Sequence, residues 1–185
     1  PEDFEIFDLR RMFRAKEGRM SILTSRGCPH RCTYCFNRAI VERYRGDGAI
    51  GSLREYLRRY PVERVIGQIL DLKARYPEMR TLIFDDDLFT LDEAYVLAFC
   101  RAYRDAGIDL PFVVNAHVRV FSEGVAAALA AAGSRIVKFG IESGSDRVRR
   151  EILHRYMSNE TIERAIGMAE GHGLHSSAFL MFGLP

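Results

Sequence analysis

Short apolar runs alternate along the chain with longer stretches of helical period. "RMSILTS" (19–25) predicts a brief strand. Over 61–77, Val62, Val65, Ile66, Ile69, Leu70 and Leu72 recur close to a helical repeat, and Pro61 suits a first turn. "TLIF" (81–84) predicts a strand that runs into three acids. Residues 90–107 predict a helix opened by Thr90, with Glu93 three positions on, and stopped by Gly107. A strand over 111–120 precedes a helix over 122–133, which has a serine at its start and a glycine at its end. Strand 135–142, a helix over 158–173 capped by Ser158, and strand 175–185 complete the pattern. Five strands separated by helices predict an α/β fold of parallel βαβ units. Residues 36–60 are basic and less regular, which predicts a surface excursion. Neither a fixed-period repeat nor a low-complexity segment interrupts the pattern.

The polar residues fall where the strands end, and in parallel α/β architectures that is where ligands bind. Cys28, Cys32 and Cys35 follow the first strand, and Asp85, Asp86 and Asp87 follow the second. On the third, a period of two puts Val113, Asn115, His117 and Arg119 on one face. A polar face on a strand covered by helices looks into a wet cavity or a ligand; the alternative is an edge strand in water. His117 is open between proton donor, substrate contact and satisfied polar group. Lys138, Gly140 and Glu142 share a face of the fourth strand, where Lys138 and Glu142 suit a plain ion pair as well as a site. The three adjacent acids repel one another and need donors or cations nearby, unless they form a solvated turn.

Three of the four cysteines lie in "SRGCPHRCTYCF", spaced C-x₃-C-x₂-C. Clustered thiols in a chain of 185 residues do not make a secreted disulfide framework; they point to a reducing compartment and a metal. Three thiolates can hold three irons of a cubane cluster and leave the fourth open to a small molecule. Structural zinc more often uses two separated cysteine pairs. His30, between two of the cysteines, is awkwardly placed as a fourth ligand. Cys100, in the apolar helical run "AYVLAFCRAY", reads as a buried structural thiol.

Charge and hydropathy then narrow the partners. A net charge of +2 argues against nucleic acid and against an acidic membrane surface. No run of 18 apolar residues spans a membrane, and "PEDFEIFDLRRMFRAKEGR" lacks an apolar signal core. Cytoplasmic localisation is the expectation.

The motif "CPHRCTYC", with an aromatic before its last cysteine, resembles the signature of the radical S-adenosylmethionine (SAM) superfamily. The resemblance implies a [4Fe–4S] cluster held by Cys28, Cys32 and Cys35. Its open iron would chelate SAM, and reduction would yield a 5′-deoxyadenosyl radical. Tyr34 would lie near the adenine. The family's "GGE"-like segment is replaced here by Phe84-x-Asp86-Asp87-x-Phe89, which is similar to a subgroup carrying a cobalamin-binding domain upstream. Asp86 or Asp87 would receive the SAM amino group. "GIESGSDRV" resembles the ribose-contacting segment, through Glu142 or Ser143, and Gly140 and Gly144 would allow close backbone approach. Arg155 matches the arginine that reaches the SAM carboxylate, although a surface arginine fits as well, with Arg147, Arg149 and Arg150 nearby. "FLMFGLP" resembles the strand beside adenine, through Phe179, Met181 and Gly183. Asn115 and His117 are counted with these cofactor-facing residues.

The resemblance implies a partial parallel (β/α) barrel with five strands visible and a sixth unit missing. Residues 1–18, with the lead-in "FEIFDLRRMF", would link it to an upstream domain, and 19–185 would be the core, truncated at its C-terminus. The implied activity is hydrogen abstraction serving cobalamin-dependent methyl transfer to carbon. The expected substrate is a small molecule or a peptide, and the electron donor is of the flavodoxin or ferredoxin type. The alternatives are a cobalamin-associated cyclase or rearrangement enzyme, a methylthiotransferase, and a non-catalytic iron–sulfur or zinc module.

Overall fold

The computed structural model describes residues 6–184. Residues 1–5, the start of the expected linker, and Pro185, the last residue of the expected final strand, lie outside the described residues. Five strands form one parallel sheet: β1 (Arg19–Ile22), β4 (Thr81–Phe84), β5 (Phe112–Ala116), β6 (Ser134–Glu142) and β7 (His175–Leu180), in the order β1-β4-β5-β6-β7. Spatial order follows chain order, as expected when each strand is followed by a crossover of one hand. The parallel (β/α) arrangement expected from the sequence is the observed one.

The crossover helices α4 (Val62–Arg75), α5 (Glu93–Asp105), α6 (Glu123–Ala131) and α7 (Asn159–Gly171) pack their apolar faces on the sheet. Pro61, Ser122 and Ser158 occupy the N-cap positions, and the hydroxyls of Ser122 and Ser158 accept from the backbone N–H groups of Val125 and Thr161. The start of α5 differs from expectation. Asp92, not Thr90, caps it by accepting from Tyr95 N. Thr90 sits one turn earlier, buried in a 3₁₀ turn (Phe89–Leu91) that the aromatic core draws inward. In that core Phe99 meets Phe84 edge-on at 5.2 Å and Phe89 at 5.4 Å. Cys100 lies in the same core, only 2% exposed, and burial pushes its thiol up to about 12. It is structural.

Two expected strands end early. The first leaves the sheet after Ile22, and β2 (Ser25–Arg26) instead pairs antiparallel with β3 (Arg58–Arg59). The third ends at Ala116, and a 3₁₀ turn over Val118–Val120 follows, so Arg119 leaves the strand face and is exposed. The basic excursion contains α2 (Phe36–Gly46) and α3 (Leu53–Tyr56). The lead-in is more than a connector where it is described. It forms α1 (Leu9–Ala15), whose Leu9 and Phe13 are buried in the core. No described helix is long and apolar enough to cross a membrane.

Candidate active site at the carboxyl ends of the strands

A cavity of about 240 Å³ opens at the carboxyl ends of the strands. Cys28, Cys32 and Cys35 all line it, and Tyr34 joins them from the same loop. Asp87, Asn115 and His117 come from the ends of β4 and β5, and Lys138, Gly140, Glu142 and Arg155 from β6 and beyond. The exposed Phe179 of β7 closes one wall. Residues 28 to 179 thus meet in one place because every strand points the same way.

The cysteine loop is held on three sides. Cys35 is the N-cap of α2, and its N–H bonds to Cys32 O at 3.2 Å. Thr33 N donates to Leu153 O at 3.0 Å, and its hydroxyl donates to Ile152 O at 2.7 Å. Arg155 donates through Nε to Gly140 O at 2.7 Å and lies 3.4 Å from both Cys32 Sγ and the Tyr34 hydroxyl. All four cysteines are free thiols. Burial pushes the Cys28 thiol up to about 11; a hydrogen bond from the His30 backbone opposes this, and the neighbouring Cys32, Cys35 and Asp87 add to it. Among the described residues no three His, Cys, Asp or Glu side chains converge on a position for a single ion. A cubane makes a different demand, since each thiolate takes its own iron. Three free thiols on one cavity wall fit that demand.

The adjacent acids separate into different roles. Asp85 is exposed. Asp86 is fully buried and does not line the cavity, which corrects its expected place beside SAM. Its carboxylate accepts from Thr24 N at 3.1 Å, the Thr24 hydroxyl at 2.7 Å and the Ser25 hydroxyl at 2.5 Å, tying the end of β1 to the end of β4. Burial raises its carboxyl pKa and these donors resist the rise. Asp87 faces the cavity, accepting from Gly27 N and from Asn37 Nδ2, each at 2.7 Å. Asn37 in turn accepts from the Tyr56 hydroxyl, so the basic excursion reaches back to brace the site.

Asn115 donates to Asp86 O at 2.9 Å. His117 is buried, stacks on His30 at 4.1 Å, and accepts from Arg119 N at its Nδ1. Burial, with help from His30, Arg155 and Arg119, pushes the ring down to about 3, so it is neutral at pH 7. Glu142 takes a left-handed φ of +70° beside an irregularity in the β6–β7 pairing, and its carbonyl accepts from Met181 N. A non-glycine residue held there stores strain, which persists only where surrounding structure enforces it. No ion pair joins Lys138 to Glu142 among the described residues.

Two expected site residues lie elsewhere. Ser143 does not line the cavity: its hydroxyl accepts from Ser145 N at 3.2 Å and its carbonyl from Arg149 Nη1 at 2.7 Å, because the chain turns there. Gly183 is exposed in the tail after β7, with φ +76°, and a Cβ there would meet no described atom within 4 Å. Arg149, grouped with surface arginines above, is 1% exposed and binds Ser143 O, Met157 O and Asn159 Oδ1. It organises the turn that delivers Arg155. Asn37, Tyr56 and Thr24 were not legible as site supports, since their partners lie 19 to 62 positions away.

Gly140 is required for space. A Cβ there would stand 2.6 Å from Arg155 Nη2 and 2.7 Å from Glu142 Oε1. Gly140→Ala is therefore expected to displace both side chains and to cost about 1 kcal/mol, a fall of about 3 °C in melting temperature. A thermal melt checks this, and an unchanged melt would contradict the close approach.

Comparison with known proteins adds an independent line. The model of the radical SAM superfamily matches residues 22–185. The methyltransferase PH0819 of Pyrococcus horikoshii is 30% identical over 165 residues, 89% of this chain and 33% of its own length. The cytidylyl-2-hydroxyethylphosphonate methyltransferase of Streptomyces wedmorensis is 27% identical over 164 residues, 89% of this chain and 28% of its own. The chain thus spans about a third or less of the curated relatives it matches. Among solved structures, the radical SAM methyltransferase TsrM from Kitasatospora setae superposes with a TM-score of 0.74 at 22% identity, covering 96% of this chain and 32% of that one. The cobalamin-dependent SAM radical enzyme OxsB gives 0.75 at 18%, covering 94% and 25%. These two likenesses show the fold. With the three cysteines gathered at the strand ends and the family match across nearly all of its length, this chain belongs to the radical SAM superfamily.

Proposed function

We propose that this chain is the catalytic core of a radical SAM methyltransferase, in which Cys28, Cys32 and Cys35 hold the cluster. When bound, a [4Fe–4S] cluster and SAM supply a one-electron cleavage that yields a 5′-deoxyadenosyl radical for hydrogen abstraction. The observation that carries the reading is the convergence of the three cysteines on a cavity that also presents Asp87, Asn115, Glu142 and Arg155. Arg155, fixed through Nε by Gly140 O, offers its remaining N–H groups to the SAM carboxylate. Of Asp86 and Asp87 it is Asp87 that lines the cavity, so it is taken as the partner for the SAM amino group. Tyr34 and Phe179 offer apolar walls suited to the adenine, and Glu142 suits the ribose hydroxyls.

Methyl transfer to carbon, with cobalamin bound by a further domain upstream, is supported by the two methyltransferase relatives and by the names of the two structural neighbours. The substrate is a small molecule, the electron donor is of the flavodoxin or ferredoxin type, and the compartment is the reducing cytoplasm. Residues 1–18 precede the core as its connection to that domain, and 19–185 are the core. Anaerobic reconstitution, then dithionite and SAM, is expected to release 5′-deoxyadenosine. Its absence from a fully cluster-loaded sample would overturn the enzyme reading.

Cluster loading itself is expected to depend on pH. The Cys28 thiol is pushed up to about 11, so the folded apo chain favours the neutral thiol, whereas iron takes the thiolate. The sign follows: loading should increase from pH 7 to pH 9. Iron content per chain after reconstitution at each pH measures it, and a flat or falling profile would contradict it.

A further inference from the structure

Adjoining the first cavity at the cysteine loop is a second, of about 400 Å³, that no step above uses. Its chemistry is one-sided. Arg31, Arg38, Arg119, Arg155, His30, His117 and His154 line it beside Cys32, and among the described residues no carboxylate does. Glu42 compensates part of this charge, 2.9 Å from Arg38 and 3.8 Å from Arg31, but it does not line the cavity. Arg119 has no ion-pair partner among the described residues. It stands at the cavity because β5 gives way to a 3₁₀ turn, whose backbone N–H reaches back to His117 Nδ1 at 3.2 Å. That bond fixes the tautomer. With Nδ1 accepting, His117 carries its proton on Nε2 and the ring is a donor there. His30 Nε2 is buried without a partner. Beyond the loop, His154 is held at φ +49° and stacks against Tyr156.

Donors therefore arrive from three separate segments: the cysteine loop with the start of α2, the turn after β5, and the turn before α7. One guanidinium without an ion-pair partner among the described residues, two that share a single carboxylate, and a neutral imidazole donor converging on one concave site are what an oxyanion needs. The volume is in the range of small-molecule sites and exceeds what one inorganic anion fills. His30, Cys32, His117 and Arg155 line both cavities, so the two adjoin. We propose that this second cavity is a substrate subsite that takes an oxyanion group, phosphoryl, phosphonyl or carboxylate, and anchors the substrate beside the cluster loop through Arg119, His117, Arg31 of the loop and Arg38 of α2. The identification of the ligand as the substrate rests on the radical SAM reading; the oxyanion site itself does not.

The test separates the two. The cluster-reconstituted full chain is titrated calorimetrically with inorganic phosphate, without SAM or reductant, in a background of 0.15 M sodium chloride to suppress diffuse binding. Saturable 1:1 binding is expected, weakened about tenfold or more in Arg119→Gln and partly retained in Arg119→Lys. Arg119 is exposed and its side chain has no ion-pair partner among the described residues, so both variants should fold, and an unchanged melting temperature verifies it. Competition by acetate assigns the site to carboxylates and failure of acetate to compete assigns it to phosphoryl-type groups; either supports the oxyanion site. Absence of saturable phosphate binding, or equal affinity in Arg119→Gln, overturns it. So does loss of binding to an acidic flavodoxin in Arg119→Gln with phosphate affinity unchanged, which would make the patch a protein-docking surface. If phosphate binds and no 5′-deoxyadenosine forms, the subsite stands and the proposed reaction falls.

Discussion

Cys32→Ala is expected to hold little iron after reconstitution and to release no measurable 5′-deoxyadenosine, while Cys100→Ala keeps wild-type values of both. Loss of a ligand should exceed the roughly 10–100-fold typical of residues that only orient ligands. Cys32 is buried, Cys28 and Cys35 are half-buried, and all three line one cavity, so no exposed thiol stands ready to replace it. Cys100 is 2% exposed among Phe99, Tyr103 and their neighbours, far from that wall in character as well as in sequence. Its truncation removes one sulfur from an apolar core and should cost about 1 kcal/mol, a melting shift of about 3 °C. Iron and sulfide analysis, product chromatography and a thermal melt on both variants form the measurement. Equal loss of iron in the two would remove the ligand assignment.

Asp86→Ala is expected to lower stability by about 3 kcal/mol, or roughly 6–12 °C in melting temperature. The substitution leaves the Thr24 amide and the hydroxyls of Thr24 and Ser25 facing a buried gap where a carboxylate stood. Stranded buried donors cost more than a lost surface contact. Asp86→Asn should recover part of the loss, since one acceptor remains while an amide N–H₂ turns toward donors. Asp87→Asn, one position on and exposed, should change stability by about 1 kcal/mol or less and instead weaken SAM binding. Melting curves and SAM titrations on the three variants decide between the roles. Wild-type stability in Asp86→Ala, or wild-type SAM affinity in Asp87→Asn, would reverse the division of labour drawn here.

The contrast between these neighbouring acids also shows how far the chain could be read in advance. The βαβ order was legible because each strand and each crossover helix satisfies a local period, and local period does not depend on what packs against it. The cysteine spacing was legible because its ligands sit within eight positions of one another. Asp86 and Asp87 were not separable, because alternation along a strand says that they differ in direction but not which direction is inward. Ser143 and Gly183 matched a motif yet miss the cavity, since the turn built on Arg149 and the open end of β7 set their positions. The strand face Asn115, His117, Arg119 broke after Ala116, where His117 caps a 3₁₀ turn that carries Arg119 out to the second cavity.

The amino-acid sequence by itself determined the fold class, the run of parallel units, the three-cysteine loop and the structural nature of Cys100. Each of these follows from residues close together in the chain. Tertiary structure alone decided that Asp87 rather than Asp86 faces the site, that Arg149 is a buried brace, that Tyr56 and Asn37 support the wall, and that arginines and histidines from three segments share a second cavity. Those outcomes depend on contacts across dozens of positions, whose geometry is fixed only when the strands twist, the turns close and the helices seat on the sheet.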